Sequence, residues 1–204
     1  MQYCWHYNQK KEFLPEDIAS DEKHGKRLKD KIYIATTVAS GCILGAEACN
    51  DANEKSLTQG YGIFASEAKN IDPNYAPKTV NTDGWDATKL AFCTLFAGII
   101  VIQCFLHGFI KIRDCCRKSA MFESICKNVW HVYNANSKKA FSQRMRRLKE
   151  WATINLSPCT ALTKINALCG KSSLYQVAYD HPNCHRTSNM CDRLMRFLDR
   201  MLFT

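Results

Sequence analysis

The feature that most constrains this chain is Leu90–Ile110, LAFCTLFAGIIVIQCFLHGFI, twenty-one residues without a formal charge. As one helix it would be about 30 Å long, the thickness of a bilayer's hydrocarbon layer. Asp86 and Lys89 stand before it, and Lys111, Arg113, Arg117 and Lys118 follow. A buried core helix rarely runs this long without charge and then ends in a cationic cluster. The run is therefore read as a transmembrane helix. Within it, Thr94 and Gly98 form a small-xxx-small pair, and Gln103 and His107, four apart, share a helical face. These four are candidate helix–helix contacts, because small and polar residues in a membrane helix usually face another helix.

An earlier run, Ile32–Ala46 (IYIATTVASGCILGA), follows Lys23, Lys26, Arg27, Lys29 and Lys31. It reads as a first membrane helix closing a hairpin with Leu90–Ile110, as a signal-like apolar stretch before Ala46-Glu47-Ala48, or as an interfacial helix. Residues 49–89 between the runs are polar and turn-rich, with Pro73, Pro77 and the Asp83-Gly84 step. Lys and Arg crowd the outer flanks of both runs, so the basic end is expected on the cytoplasmic or matrix side. Cys115 and Cys116 then fall just past the span among cations. That location makes them candidate lipidation sites.

Residues 111–204 carry 17 Lys and Arg against 6 Asp and Glu, whereas residues 1–110 carry 11 against 13. A basic half beside a near-neutral half points to an anionic surface as partner. No nucleic-acid-binding signature accompanies the charge, so membrane lipid is favoured. Phe122, Ile125, Val129 and Val132 recur at helical spacing, as do Phe141, Met145, Leu148 and Ala152. Lys138, Lys139, Arg144, Arg146, Arg147 and Lys149 cover the rest of the second helix and are candidate anionic-surface contacts. A strand is expected at Leu174–Ala178. The chain's last stretch places Met190, Leu194, Phe197, Leu198, Met201 and Leu202 on one face of a helix that Asn189 can cap, a candidate partner-docking face.

Reactive patterns are scarce. His181, Cys184, His185 and Cys191 are the only close set of soft ligands, and their spacing lacks the two tight pairs of a structural zinc site. Twelve cysteines are spread along the chain. A disulfide framework would be split by the membrane segment, so most are read as reduced.

The expected fold class is mainly α: a membrane-anchored chain with one transmembrane helix, or a two-helix hairpin, and a small basic helical tail domain. The segments are a polar N-terminal stretch (1–31), a first apolar segment (32–48), a polar loop (49–89), the transmembrane helix (90–110) and the tail (111–204). The expected function is non-enzymatic: an accessory or assembly subunit of a larger membrane complex. The alternatives are a membrane-surface adaptor recruiting a soluble or anionic-lipid partner through 138–151, and a zinc-containing enzyme or zinc-stabilised module. Other complex subunits and membrane lipid are the expected partners, and nucleic acid is not. No catalytic, cofactor-binding or metal-binding residue is assigned.

Overall fold

The computed structural model describes the backbone of residues 14–27 and 30–202, with side chains except at 26, 27, 30 and 197–202. The chain forms two compact units, one of residues 1–103 with 183–204 and one of Cys104–Pro182.

The first unit is built on a five-stranded mixed sheet in the order β3-β2-β1-β4-β5. Its strands are β1 (Asp17–Arg27), β2 (Asp30–Ala39), β3 (Cys42–Cys49), β4 (Thr79–Thr82) and β5 (Ile100–Gln103). β1, β2 and β3 run antiparallel, while β1, β4 and β5 run parallel. Successive residues of β1 face opposite sides, as strand geometry requires. Ile18 joins the large core with Val80 and the helices α1 (Glu54–Ile71) and α2 (Asp86–Leu95). Ala19 joins a smaller core with Val38, Cys191 and Met195, the last two from helix α8 (Asn189–Leu202). Helix α1 starts where the Asn53 side chain accepts the Ser56 N–H at 2.9 Å. Leu57, Tyr61, Phe64 and Ala68, at spacings of three and four, form its buried stripe.

This architecture corrects the membrane reading. No helix among the described residues is long and apolar enough to cross a membrane. Leu90–Ile110 is not one helix: it contains the end of α2, a turn at Gly98 (φ +82°), all of β5 and the start of α3 (Phe105–Cys116). Ile99-Ile100-Val101-Ile102 is a block of β-branched residues, which favour extended backbone. β4 takes up this block as its parallel neighbour, pairing Thr79 with Ile100 and Asn81 with Ile102. The lack of charge therefore reflects a strand and two half-buried helices; Leu90 and Cys93 of α2 are exposed. Thr94, Gly98, Gln103 and His107 consequently share no helical face. They lie in α2, in a turn, at the end of β5 and in α3.

The 32–48 segment is likewise neither a membrane helix nor a signal core. It is the β2–β3 hairpin, closed by Ser40 (φ +50°) and Gly41 (φ +77°) between the paired Ala39 and Cys42. Two successive residues with positive φ match the twist of a two-residue hairpin turn. Ala46-Glu47-Ala48 lies within β3, paired to β2. Residues 49–89, read as a loop, hold α1 and β4.

The second unit contains α3, α4 (Phe122–Tyr133), α5 (Lys138–Asn155), α6 (Thr160–Gly170) and α7 (Ser172–Gln176), with a short 3-10 turn at Val177–Tyr179. Leu174–Ala178 is thus helical rather than a strand. Phe109, Ile112, Ile125, Val129, Phe141, Met145, Leu148 and Ile165 meet in one core. Helix α5 is capped by Ser137, whose hydroxyl accepts the Ala140 N–H at 3.2 Å.

Ile102 is fully buried in β5, the strand that replaces the expected membrane helix. Ile102→Ala is expected to lower stability by about 2–4 kcal/mol in urea denaturation. An unchanged midpoint would contradict a buried strand at this position.

Candidate active site at the carboxyl edge of the parallel strands

Open sheets with parallel strands bind ligands beyond the carboxyl ends of those strands, where neighbouring strands connect in opposite directions. Here that place lies between β1 and β4. β1 leads to β2 on one side, and β4 leads through α2 to β5 on the other. The pairing Ala19↔Asn81 is the last between them. Two residues past that pair stand Asp21, still within β1, and Asp83, just beyond the end of β4.

Asp21 is buried, and its Oδ1 accepts the Glu22 N–H at 2.9 Å. Alternation along β1 puts Asp21 on the face of Ala19, which is the face covered by α8. Asp83 is half-buried. Its Oδ1 accepts the Trp85 N–H at 2.7 Å, and its carbonyl accepts the Gln103 side-chain amide at 2.7 Å. Gly84 lies between them at φ +91°, and a Cβ there would run into the Gln103 side-chain amide. Only glycine fits both the backbone angle and the space. The turn after β4 is thereby held to the end of β5.

Asn81, fully buried two residues before Asp83, donates its side-chain amide to the His185 carbonyl at 2.8 Å. Its Oδ1 has no hydrogen-bond partner among the described residues. That bond ties the segment leading into α8 to β4. Asp192 is half-buried in the first turn of α8.

Glu22 points to the opposite face. Its Oε1 accepts hydrogen bonds from the Tyr61 and Thr88 hydroxyls, both at 2.6 Å. Burial raises its pKa from 4.5 to about 7; the two hydroxyls oppose the shift, and the charges of Asp83 and Asp21 add to it. Both aspartates are therefore near enough to Glu22 to be felt electrostatically. With both hydroxyls on Oε1, the proton of the neutral acid is left to Oε2. On the same side, the His24 ring stacks against Trp85 at 6.2 Å and meets Tyr33 edge-on at 4.9 Å.

The residues singled out from sequence lie elsewhere. Cys115 and Cys116 end α3; Cys115 is exposed and Cys116 buried. Their thiol pKa values are raised, chiefly by burial, that of Cys116 to about 11. Such thiols are weak nucleophiles. Without a membrane helix beside them, the reason for expecting lipidation is gone. Lys138, Lys139, Arg146, Arg147 and Lys149 are exposed on α5. Arg144 donates to the His131 carbonyl at 2.8 Å, and Lys138 pairs with Asp180 at 2.6 Å. Met190 and Leu194 pack beside the small core of α8 and the sheet, so their partner is the chain's own β1 and β2. Phe197, Leu198, Met201 and Leu202 lie outside the residues whose side chains are described. Among the described residues no three His, Cys, Asp or Glu side chains form a group that could hold a metal by themselves. The zinc reading of His181, Cys184, His185 and Cys191 therefore has no geometric support.

Sequence reasoning missed Asp21, Glu22 and Asp83. The available signal was a pair of acids inside an extended segment (DIASDEKH) and an Asp-Gly step directly after the β-prone Thr79-Val80-Asn81-Thr82.

No protein-family model matches the chain, and the search of curated proteins returned no match. Among solved structures, the catalytic core domain of HTLV-2 integrase in complex with magnesium, in a trimeric form, matches with a TM-score of 0.35 and 17% identity. The match covers 75% of this chain and 96% of that one. Likeness at this level fixes neither a fold nor an activity.

Glu22 makes stability depend on pH in a defined direction. Its folded pKa lies above its unfolded one, so the folded state binds more protons between about pH 4.5 and 7. Stability then falls as pH rises through that window, by about 3 kcal/mol in all. Glu22→Gln keeps an oxygen for Tyr61 and Thr88 and removes the charge. It is expected to raise the urea midpoint above about pH 8 and not below about pH 4. A parallel pair of stability–pH curves would show that Glu22 carries no shift.

Proposed function

We propose that the carboxyl edge of β1 and β4 is the active site of a divalent-cation-dependent phosphoryl-transfer enzyme acting on nucleic acid. The observation that carries this reading is that Asp21, in β1, and Asp83, just after β4, each stand two residues past the last pair of these adjacent parallel strands, at a switch in connection direction. The donor chemistry suits a hard cation. Magnesium is commonly held by one or two carboxylates, with waters and substrate phosphate oxygens completing its shell. Two aspartates fit that description without a dedicated three-ligand cage. Asp21 and Asp83 would hold the ion. A cation bound there supplies charge stabilisation at a phosphoryl oxygen and activates a water or hydroxyl nucleophile.

The remaining work falls to the chain. Gln103 and Gly84 hold the Asp83 turn in place. The unit Cys104–Pro182 carries thirteen Lys and Arg against four Asp and Glu. Such an excess concentrates polyanions and gives binding that weakens steeply with salt. This proposal replaces the expectation of a non-catalytic chain that does not meet nucleic acid. A second reading, binding of nucleic acid without catalysis, rests on that same charge.

The test combines Mn²⁺ binding, read by isothermal titration calorimetry, with cleavage or strand transfer of labelled DNA. Asp21→Asn and Asp83→Asn are expected to fold, to bind Mn²⁺ weakly and to lose at least about a hundredfold in rate. Cation-independent activity, or full activity in Asp21→Asn and Asp83→Asn, would refute the catalytic reading. DNA binding without any cleavage would favour the second.

A further inference from the structure

The aromatic corner beside Asp83 has no role in holding a cation. His24 and Tyr33 face each other across the β1–β2 pair, in register, and Trp85 stacks on His24. Trp85 is 37% exposed, a large aromatic surface left at the edge of the sheet. His24 and Tyr33, with Gly25, Lys31 and Ile32, line a cleft of about 320 Å³. Gly25 leaves one wall without a side chain, and Lys31 is exposed at the rim. The corner is tied to the acidic edge by one hydrogen bond, Trp85 N–H to Asp83 Oδ1 at 2.7 Å.

We propose that the His24–Tyr33–Trp85 corner is a base-binding subsite, which stacks an unpaired nucleobase of the substrate strand while Lys31 meets its backbone. The inference rests on the reading of Asp21 and Asp83 as a phosphoryl-transfer site and names the form of substrate it takes: a single or locally unpaired strand. Its chemistry is that of single-strand binding surfaces, where flat aromatic faces stack successive bases and nearby cations follow the phosphates. Trp85 shares a turn with Asp83, so a base stacked on its ring and a phosphate held at Asp83 would meet neighbouring parts of one short segment. Stacking accepts every base, so this subsite selects for unpaired strand rather than for sequence.

The experiment measures the affinity of the full chain for a short single-stranded DNA carrying 2-aminopurine, by anisotropy and by 2-aminopurine fluorescence, with Ca²⁺ present to suppress cleavage. Trp85→Ala is expected to weaken binding roughly tenfold, a loss typical of one stacked base, and to abolish the quenching of 2-aminopurine. Trp85→Phe, which keeps an aromatic face, is expected to restore most of both. An oligonucleotide with an abasic position at the stacked site should lose the same factor against the parent protein and nothing further against Trp85→Ala. Mn²⁺ affinity should be unchanged in Trp85→Ala, which also reports that the Asp83 turn is intact. Equal oligonucleotide affinity in the parent and Trp85→Ala would overturn the subsite. So would a loss that the abasic strand does not reproduce. Either result leaves the catalytic reading standing if Asp21→Asn and Asp83→Asn still abolish cleavage. Conversely, Trp85-dependent quenching in a protein that binds no Mn²⁺ would retain the subsite and remove the catalytic reading.

Discussion

The structure of the first unit depends on β1 being hydrogen-bonded along both edges, antiparallel to β2 and parallel to β4. A strand in that position cannot slip. A shift of one residue would turn Ile18 out of the large core and Ala19 out of the small one, since the side-chain period is two. The same register that buries Ile18 and Ala19 leaves Asp21 and Asp83 each two residues past the last β1–β4 pair. Core packing and the acidic edge are therefore one constraint. Apolar residues hold the strand, and the strand sets where the carboxylates stand.

Charge burial at this edge is divided between two faces. Asp21 lies on the face of α8, and its neighbour Glu22 is turned toward α1 and α2. Three negative charges so close would repel one another. Burial allows Glu22 to hold a proton near neutrality, and the Tyr61 and Thr88 hydroxyls keep its oxygen satisfied. A buried carboxylate that can be neutral costs less than one that must stay charged. The arrangement tolerates two further carboxylates nearby, a density of acid that would otherwise oppose folding.

Helical periodicity in the second half of the chain was legible because each helix there carries a single apolar stripe. Ile125, Val129 and Val132 are buried, as are Phe141, Met145 and Leu148. The stripe of α8 was legible too, although not its partner, because an amphipathic face reports that something covers it and not what. The sheet was harder to see. In β1 the alternation mixes Ile18 and Ala19 with buried Asp21 and Glu22, so the strand looks polar. In Leu90–Ile110 the opposite happens: a helix, a turn, a strand and a second helix follow without a charge and imitate one long span. Hydropathy sums over elements, and it cannot find the turn at Gly98 that separates them.

By itself, then, the sequence determined the local preferences: the capped helices, the Ser40-Gly41 turn, the β-branched block at Ile99–Ile102 and the excess of cations after Ile110. Tertiary structure alone decided which strands became neighbours. Parallel partners such as β1 and β4 lie some sixty residues apart, and nothing local in either segment encodes that pairing. Asp21 and Asp83 are ordinary acids in the linear chain. They become a candidate site only because hydrogen bonding between distant strands, supported by the burial of Ile18 and Val80, brings their two segments together.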